Sequence, residues 1–220
     1  MTMNLLVVKS RTRNRAAREQ ALVTAASQLF ASLGFEATTT REIAARAACA
    51  EGLIHRYFGG KAGLLLAIVQ SRVSHEVMAL NQRVWPAATL EEEIQQLVEW
   101  EIDRMWDDRE FLSVIIPRAL LDPSLGDVIH RTCVIQRTKA IAERLQGFAE
   151  CSALPKAELD ALAHFVAVTG FMFGFIRPVV VRQDRNQARE MAVNLAKMMG
   201  RNLCSVPASQ PTYSPQASVR

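Results

Sequence analysis

Apolar positions recur at helical spacing over most of this chain. Between residues 16 and 33 they fall every three or four positions, at Leu22, Ala25, Ala26, Leu29, Phe30 and Leu33. Gly34 follows this run, and glycine commonly ends a helix. The alternating pattern of a half-buried strand is missing from the sequence. We therefore predict an all-α fold of about nine helices, with the first over residues 16–33.

The segment 38–58 predicts two short helices joined by a tight turn. The first spans 41–47 after a run of threonines suited to cap it, and the second spans 51–58 before two glycines. Ile43 and Ala44 share the inner face of the first helix, while Ile54 and Phe58 stack on one side of the second. The outward positions of the second helix are then Gly52, Leu53, His55 and Arg56. A helix-turn-helix presents one helix to a DNA major groove in this way.

A longer set of residues at linked offsets surrounds this motif: Gly34-Phe35, Thr38-Thr39-Thr40, Ile43-Ala44, Ala47, Gly52, Tyr57-Phe58, Lys61 and Leu64-Leu65. Together they resemble the N-terminal domain of the TetR family of bacterial transcriptional regulators. The resemblance covers about the first third of the chain and implies a second, helical domain for ligand binding and dimerisation. The family usually has glycine where this chain has Ala48, often a serine or threonine at Ala50, and commonly an aromatic residue at His55.

Positive charge is concentrated in the same part of the chain. The formal net charge is +4, and residues 1–61 hold nine Lys and Arg against four Asp and Glu. The remaining residues, 62–220, hold 17 Lys and Arg against 18 Asp and Glu. A basic excess confined to the helix-turn-helix segment is expected of a protein that binds a polyanion, although a solvated basic tail is the alternative.

The predicted DNA contacts lie on and around the second helix of the motif. Arg56 is suited to a guanine or a phosphate, and Gly52 permits close approach of the backbone. Lys61 opens the next helix, where free N–H groups favour a phosphate. The full set is Thr40, Arg41, Gly52, Leu53, His55, Arg56, Tyr57 and Lys61.

The rest of the chain predicts further helices over 61–80, 90–106, 110–121, 123–149, 156–181 and 186–203, with a linker around Trp85-Pro86. We divide the chain into a disordered basic arm (1–14), a helix-turn-helix domain (15–60), a helical ligand-binding and dimerisation domain (61–204) and a disordered tail (205–220).

The helix over 156–181 is apolar on every side. Its uncharged run, 161–176, is shorter than the roughly 20 residues that span a membrane, so we predict a buried helix and no membrane partner. Small and apolar residues form one stripe on this helix and another on the last helix, and we predict that they make a two-fold dimer interface. These residues are Ala163, Ala167, Gly170, Gly174, Ala188, Ala192, Leu195 and Met199.

The resemblance also implies a small-molecule effector. Candidate contacts are large or polar side chains on otherwise apolar helices: Trp100, Trp106, Arg118, His130, Cys133, Phe171, Phe173 and Arg177. Phe, Trp and Met are prominent among the apolar residues, which favours a hydrophobic or aromatic ligand, and an anionic one if Arg118 or Arg177 faces inward.

Catalysis is not expected. The sequence lacks G-x-S-x-G, H-E-x-x-H, P-loop and G-x-G-x-x-G motifs in their required contexts, and nothing near His130 and Cys133 supplies an oxyanion hole. The four dispersed cysteines suit a reduced, cytoplasmic protein without a metal or cofactor. We predict a homodimeric repressor that binds a palindromic double-stranded DNA operator and is released by an inducer. The alternative is a helical protein-interaction module that keeps the fold without specific DNA binding.

Overall fold

The computed structural model describes residues 3–205, except for the side chains of residues 3–13, 74–78, 81, 83, 124, 204 and 205. All regular structure in this range is helical, which confirms the predicted all-α class. The helices are α1 (Met3–Leu33), α2 (Thr40–Arg46), α3 (Gly52–Phe58), α4 (Lys61–Arg83), α5 (Leu90–Asp107), α6 (Arg109–Leu121), α7 (Pro123–Ile129, continuing through a π-helical segment, His130–Val134, to Ile135–Leu145), α8 (Ala149–Ser152), α9 (Lys156–Phe171, continuing as the π-helix Met172–Val180) and α10 (Arg185–Ser205).

Helix boundaries differ from the predictions at both ends of the chain. The backbone of α1 begins at Met3, so it runs through most of the predicted arm, whose side chains before Asn14 lie outside the described part. Helix α10 continues through Ser205, the first residue of the predicted tail, and the rest of that tail lies outside the described residues.

The described side chains form two hydrophobic cores. The first joins α1, α2 and α3 to the beginning of α4, and it also takes in Phe111 and Ile115 of α6. The second is built around α5, which packs against α7, α9 and α10. Because α6 contributes to the first core, the helix-turn-helix segment rests directly on a helix from the C-terminal part of the chain.

A buried ion pair fixes the linker between α4 and α5. Glu93 is fully buried, and its carboxylate accepts from Arg144 Nε at 2.7 Å and from the Ala87 N–H at 2.9 Å. Arg144 also donates to the carbonyl oxygen of Val84 at 2.6 Å. Such a pair is costly to break, because removing one partner leaves the other charge buried. The linker is therefore tied to both α5 and α7.

Most of the predicted small-residue interface lies inside the chain instead of on its surface. A Cβ added at Gly170 would lie 2.3 Å from Glu101 Cβ, and one at Gly174 would lie 2.6 Å from the Ile102 oxygen. The glycines of α9 thus let α5 approach closely. Ala163, Ala188 and Ala192 are fully buried in the same core. These five residues are not available to a second subunit, which corrects the predicted interface.

Candidate nucleic-acid interface and ligand cavity

The helix-turn-helix begins with a reciprocal cap. Thr39 Oγ1 accepts from the Glu42 N–H at 3.2 Å, and the Thr39 N–H donates to Glu42 Oε2 at 2.8 Å. These hydrogen bonds lower the pKa of the Glu42 carboxyl below its ordinary value. The two hydrogen bonds supply acceptors for two backbone N–H groups that the start of α2 would otherwise leave unpaired, as in a capping box. The cap fixes where α2 begins.

The turn between α2 and α3 contains a strained residue. Ala48 has φ of +50°, in the left-handed region that favours glycine. The Cys49 N–H donates to the Ala44 oxygen at 2.9 Å and closes the turn. This is the position at which the resemblance predicts a glycine. The turn geometry is therefore kept at a cost in backbone strain.

Helix α3 is anchored on one side and open on the other. Ile54 is fully buried, while Gly52, His55 and Arg56 are exposed. Leu53 and Tyr57 are half-buried at the edges of the exposed face. The open face of α3 therefore has the polar, cationic character predicted for a helix that contacts DNA.

Two cations from neighbouring helices extend this face. Arg41 of α2 is exposed, and the Arg15 guanidinium of α1 lies 5.1 Å from the centre of the Tyr57 ring. We refer to the exposed positions Arg41, Gly52, His55 and Arg56, with Tyr57 at their edge, as the α3 surface.

Lys61 and Thr40 take part in contacts within the protein. Lys61 Nζ donates to the Phe35 oxygen at 2.7 Å and to the Thr38 oxygen at 3.0 Å, and it lies 4.4 Å from the centre of the Phe35 ring. Thr40 Oγ1 donates to Glu51 Oε1 at 2.6 Å and so joins the starts of α2 and α3. These contacts favour a structural role for both residues over the predicted contact with the DNA backbone.

A cavity of about 300 Å³ lies between α4, α5, α6, α7 and α9. Its walls are mainly apolar, and they include Val69, Phe111, Ile116 and Phe171. The π-helical segment of α7 contributes Cys133 and Val134 to the wall. Helix irregularities of this kind are frequent at functional sites, and the volume is at the lower end of the range for small-molecule sites.

Charged side chains line one part of the cavity. They are Arg72, Arg104, Asp108 and Arg137. Arg72 is ion-paired with Asp108, and Arg104 donates to the fully buried Glu101 at 2.8 Å. Arg137 Nε lies 3.4 Å from the second oxygen of Glu101. Three guanidinium groups thus share two carboxylates at this end.

The structure brings two of the eight predicted ligand contacts, Cys133 and Phe171, to the cavity. Phe173 is buried beneath the Arg177 guanidinium, and Arg177 donates to Gln183 at 3.0 Å. His130 is exposed.

The remaining three candidates lie elsewhere. Trp100 packs against the second core, and Trp106 lies between Arg109 and Arg185. Arg118 pairs with Glu36 at 3.2 Å, next to the first core. Neither Arg118 nor Arg177 is therefore among the residues that line this cavity.

Sequence reasoning missed the three arginines that do line it. A signal for one of them was present, because Arg104 is three residues after Glu101 and four before Asp108, which is the spacing of ion pairs along a helix. Arg72 and Arg137 come from α4 and α7, and only the packing of the helices brings them together.

Comparison with known proteins agrees with the geometry of the first domain. Residues 22–68 match the family described as "Bacterial regulatory proteins, tetR family". Over this helix-turn-helix segment the chain is similar to that family. The match begins in α1 and ends in α4, so it contains the whole α3 surface, while Arg15 lies before it. No curated protein matches the chain.

Solved structures share the fold along most of the chain. A protein of Mesorhizobium loti MAFF303099 described as a TetR-family transcriptional regulator has a TM-score of 0.69 at 20% identity, covering 84% of this chain and 95% of its own. Another, from Syntrophomonas wolfei str. Goettingen, has a TM-score of 0.68 at 14% identity, covering 86% and 98%. Salmonella enterica GusR has a TM-score of 0.59 at 17% identity, covering 84% and 94%. The similarity in fold to these structures therefore extends well beyond the matched residues.

Among the described residues, one helix is long and apolar enough to cross a membrane by length and composition, Lys156–Val180. Half of its most apolar window is buried within the protein. A core helix of a soluble protein passes the same test, so this feature is weak evidence for a membrane span.

Proposed function

We propose that the chain is a ligand-responsive transcriptional repressor that binds a palindromic operator as a homodimer. The observation that carries the proposal is the α3 surface. Its exposed Arg56, His55 and Gly52 lie on a helix whose opposite side is fixed by the buried Ile54. A helix held in this way can enter a major groove without moving relative to its domain.

Electrostatics supports DNA as the partner. The basic excess of the chain is confined to residues 1–61, and Arg41 and Arg56 are both exposed. Arginine can contact either a guanine edge or a phosphate, so the α3 surface can contribute both sequence reading and positioning.

A homodimer is supported by apolar side chains that the fold leaves exposed at its C-terminal end. Met191, Leu195 and Met198 of α10 are among the large exposed hydrophobic residues, and all three line one surface depression. We refer to these three residues as the methionine-rich face. Two copies joined through this face would carry two α3 helices, and paired recognition helices read half-sites about 34 Å apart.

Ligand response is supported by the cavity, which has apolar walls and lies beside α4. The first residues of α4 belong to the same core as α1, α2 and α3. Occupancy of the cavity that moves α4 would therefore move the α3 surface, and we propose that a small, largely apolar inducer releases the DNA in this way.

The experiment is a fluorescence-anisotropy titration of the full chain against DNA flanking its own coding region, at two salt concentrations. Arg56→Ala is measured beside Arg131→Ala, which removes the same charge from an exposed site on α7. Saturable binding that persists at the higher salt and weakens at least tenfold only in Arg56→Ala is expected, about 1.4 kcal/mol. Binding that disappears at the higher salt and weakens equally with both substitutions would contradict the proposal. It would favour the alternative, a helical protein-interaction module without specific DNA binding.

A further inference from the structure

We infer that Arg15 of α1 binds a phosphate of the DNA backbone beside the groove that α3 enters. The inference rests on the proposed function, because it takes DNA as the partner of the α3 surface. It goes beyond that function by adding a contact from a part of α1 that precedes the matched residues 22–68.

Arg15 is held beside α3 by two contacts. Its Nε donates to Glu19 Oε1 at 2.7 Å, one turn further along α1, and its guanidinium lies 5.1 Å from the centre of the Tyr57 ring. The side chain is nevertheless 61% exposed. The two contacts restrict a long side chain without covering it, so less conformational freedom is lost when the guanidinium binds an anion.

The chain places one cation beside each flank of α3. Glu51 and Tyr57 are six residues apart, so they lie about 120° apart around the helix axis. Thr40 donates to Glu51 at 2.6 Å, and Arg41 follows Thr40 in the chain. Arg15 lies against Tyr57 instead. The start of α2, with Arg41, therefore adjoins one flank of α3, and α1, with Arg15, adjoins the other.

Two flanking cations suit a helix that lies in a major groove. An α-helix with its side chains is about 10–12 Å across, and the major groove of B-DNA is about 12 Å wide. A helix in this groove therefore has its two flanks against the two phosphate backbones. Arginine is suited to such a contact, because its planar N–H donors match the oxygens of a phosphate. Arg15 then fixes α3 in the groove from the side opposite to α2.

A role in joining α1 to α3 is the alternative for Arg15. An exposed ion pair between residues four apart on a helix contributes little to stability, because water screens it. Loss of the Arg15 side chain should therefore leave the thermal unfolding midpoint nearly unchanged under either role. A phosphate contact also contributes to the salt dependence of DNA binding, which a purely structural contact does not. The salt dependence therefore separates the two roles.

The test is a fluorescence-anisotropy titration of the full chain over a series of salt concentrations. The probes are two duplexes of equal length, one from the DNA flanking the coding region and one of unrelated sequence. Arg15→Ala is expected to weaken binding to both duplexes several-fold, because phosphate contacts do not depend on sequence. The slope of log affinity against log salt concentration should fall by about 0.9 for each bound copy. Arg15→Lys keeps the charge and should keep the slope.

Lys139→Ala is the matched control. Lys139 of α7 is 75% exposed and lies 3.8 Å from Glu143, four residues further on, as Arg15 pairs with Glu19. The substitution removes the same charge and the same kind of ion pair from the C-terminal part of the chain, and it should leave the slope unchanged.

Three results would overturn the inference: an unchanged slope in a folded Arg15→Ala protein, an equal reduction in Lys139→Ala, or an equal reduction in Arg15→Lys. If Arg15→Ala does not fold, Arg15→Gln decides by the same slope, because glutamine keeps a polar side chain and removes only the charge.

The outcome is separable from that of the proposed function. A chain that binds both duplexes equally, with a slope that falls in Arg15→Ala, would retain this contact and lose the proposed repressor. A chain that prefers the flanking DNA and is weakened by Arg56→Ala, but keeps its slope in Arg15→Ala, would do the opposite. Absence of binding to either duplex would overturn both.

Discussion

Arg72 of α4 donates a hydrogen bond to the Ser27 hydroxyl of α1 at 3.2 Å. The same guanidinium is ion-paired with Asp108 and lies 4.4 Å from the centre of the Phe111 ring, at the wall of the cavity. One side chain therefore contacts a helix of the DNA-binding domain and the residues around the ligand cavity. A ligand that draws Arg72 toward itself would change its hydrogen bond to α1.

The first prediction tests this contact with Ser27→Ala. The substitution removes the oxygen that accepts the Arg72 hydrogen bond between α1 and α4, and a hydrogen bond of this kind is worth about 1 kcal/mol. The free energy of unfolding should therefore fall by about 1 kcal/mol, and urea denaturation measures this change.

Ser32→Ala is the control for this contact. Ser32 is also on α1, but its hydroxyl donates to the Leu29 oxygen of its own helix at 3.3 Å. Ser32→Ala should lower the free energy of unfolding by less, because the lost hydrogen bond joins no second helix. A Ser27→Ala protein as stable as the unchanged protein would show that the contact between Arg72 and Ser27 does not stabilise the fold.

The second prediction concerns Lys61, whose ammonium group donates hydrogen bonds to the carbonyl oxygens of Phe35 and Thr38. Lys61→Met keeps most of the hydrocarbon chain and removes these charged hydrogen bonds, so the free energy of unfolding should fall by about 2 kcal/mol. Urea denaturation of Lys61→Met and the unchanged protein measures this. DNA affinity should fall less than in Arg56→Ala; a larger loss of affinity, with stability unchanged, would favour the phosphate contact instead.

The helix-turn-helix could be predicted from the sequence because its signals are local. Thr39 and Glu42 are three residues apart, and Ile43 and Ile54 occupy inner positions that follow from the helical period alone. The outward position of Arg56 follows from the same period. These features need no knowledge of which distant helices meet.

The cavity could not be predicted in the same way, because its lining comes from five helices that are far apart in the chain. The π-helical segment at His130–Val134 adds to the difficulty, since it shifts the faces of α7 from their α-helical period. Small residues gave a further ambiguity. A stripe such as Ala163, Gly170 and Gly174 is compatible with contact within the chain or between chains, and the packing of α5 places it within the chain.

The third prediction follows from the positive φ of Ala48. Ala48→Gly removes the clash of Cβ in the left-handed region, and the gain exceeds the added entropy of the unfolded chain. The free energy of unfolding should rise by about 0.5–1 kcal/mol, measured by urea denaturation. Ala45→Gly, at an exposed site within α2, should lower it by a similar amount. Destabilisation in both variants would contradict the strain assigned to Ala48.

The fourth prediction is a pH dependence at Glu42. Hydrogen bonds from the N–H and hydroxyl of Thr39 lower the pKa of this carboxyl from its ordinary value of 4.5. Above that value the carboxylate is charged in both states, and its stabilising contribution is fully present. Below it the unfolded chain takes up the proton first, so the contribution is lost as the pH falls through the lowered pKa.

The unchanged protein should therefore have a higher free energy of unfolding than Glu42→Gln. This difference should be constant at about pH 6 and shrink toward about pH 3, because glutamine does not titrate. Urea denaturation across this range measures it. Glu92→Gln is the control, since Glu92 holds the same third position in α5, where Thr89 Oγ1 accepts from its N–H. An advantage over Glu42→Gln that stays constant throughout would show that the carboxylate is not stabilised by Thr39.

The fifth prediction concerns the methionine-rich face and rests on its exposure in the single chain. Leu195 and Met198 are 37% and 58% exposed, so a glutamate at either position has access to water and should not disturb the core. In a dimer of the double variant, four such charges, two from each subunit, would lie in the interface without partners, at a cost of several kcal/mol. Leu195→Glu together with Met198→Glu should therefore give a folded monomer by light scattering, with weakened binding to a palindromic site. Leu120→Glu, at an 81% exposed leucine of α6, should remain dimeric and bind normally. If the double variant keeps the mass of a dimer, subunits associate through another surface; if Leu120→Glu alone dissociates, that surface includes α6.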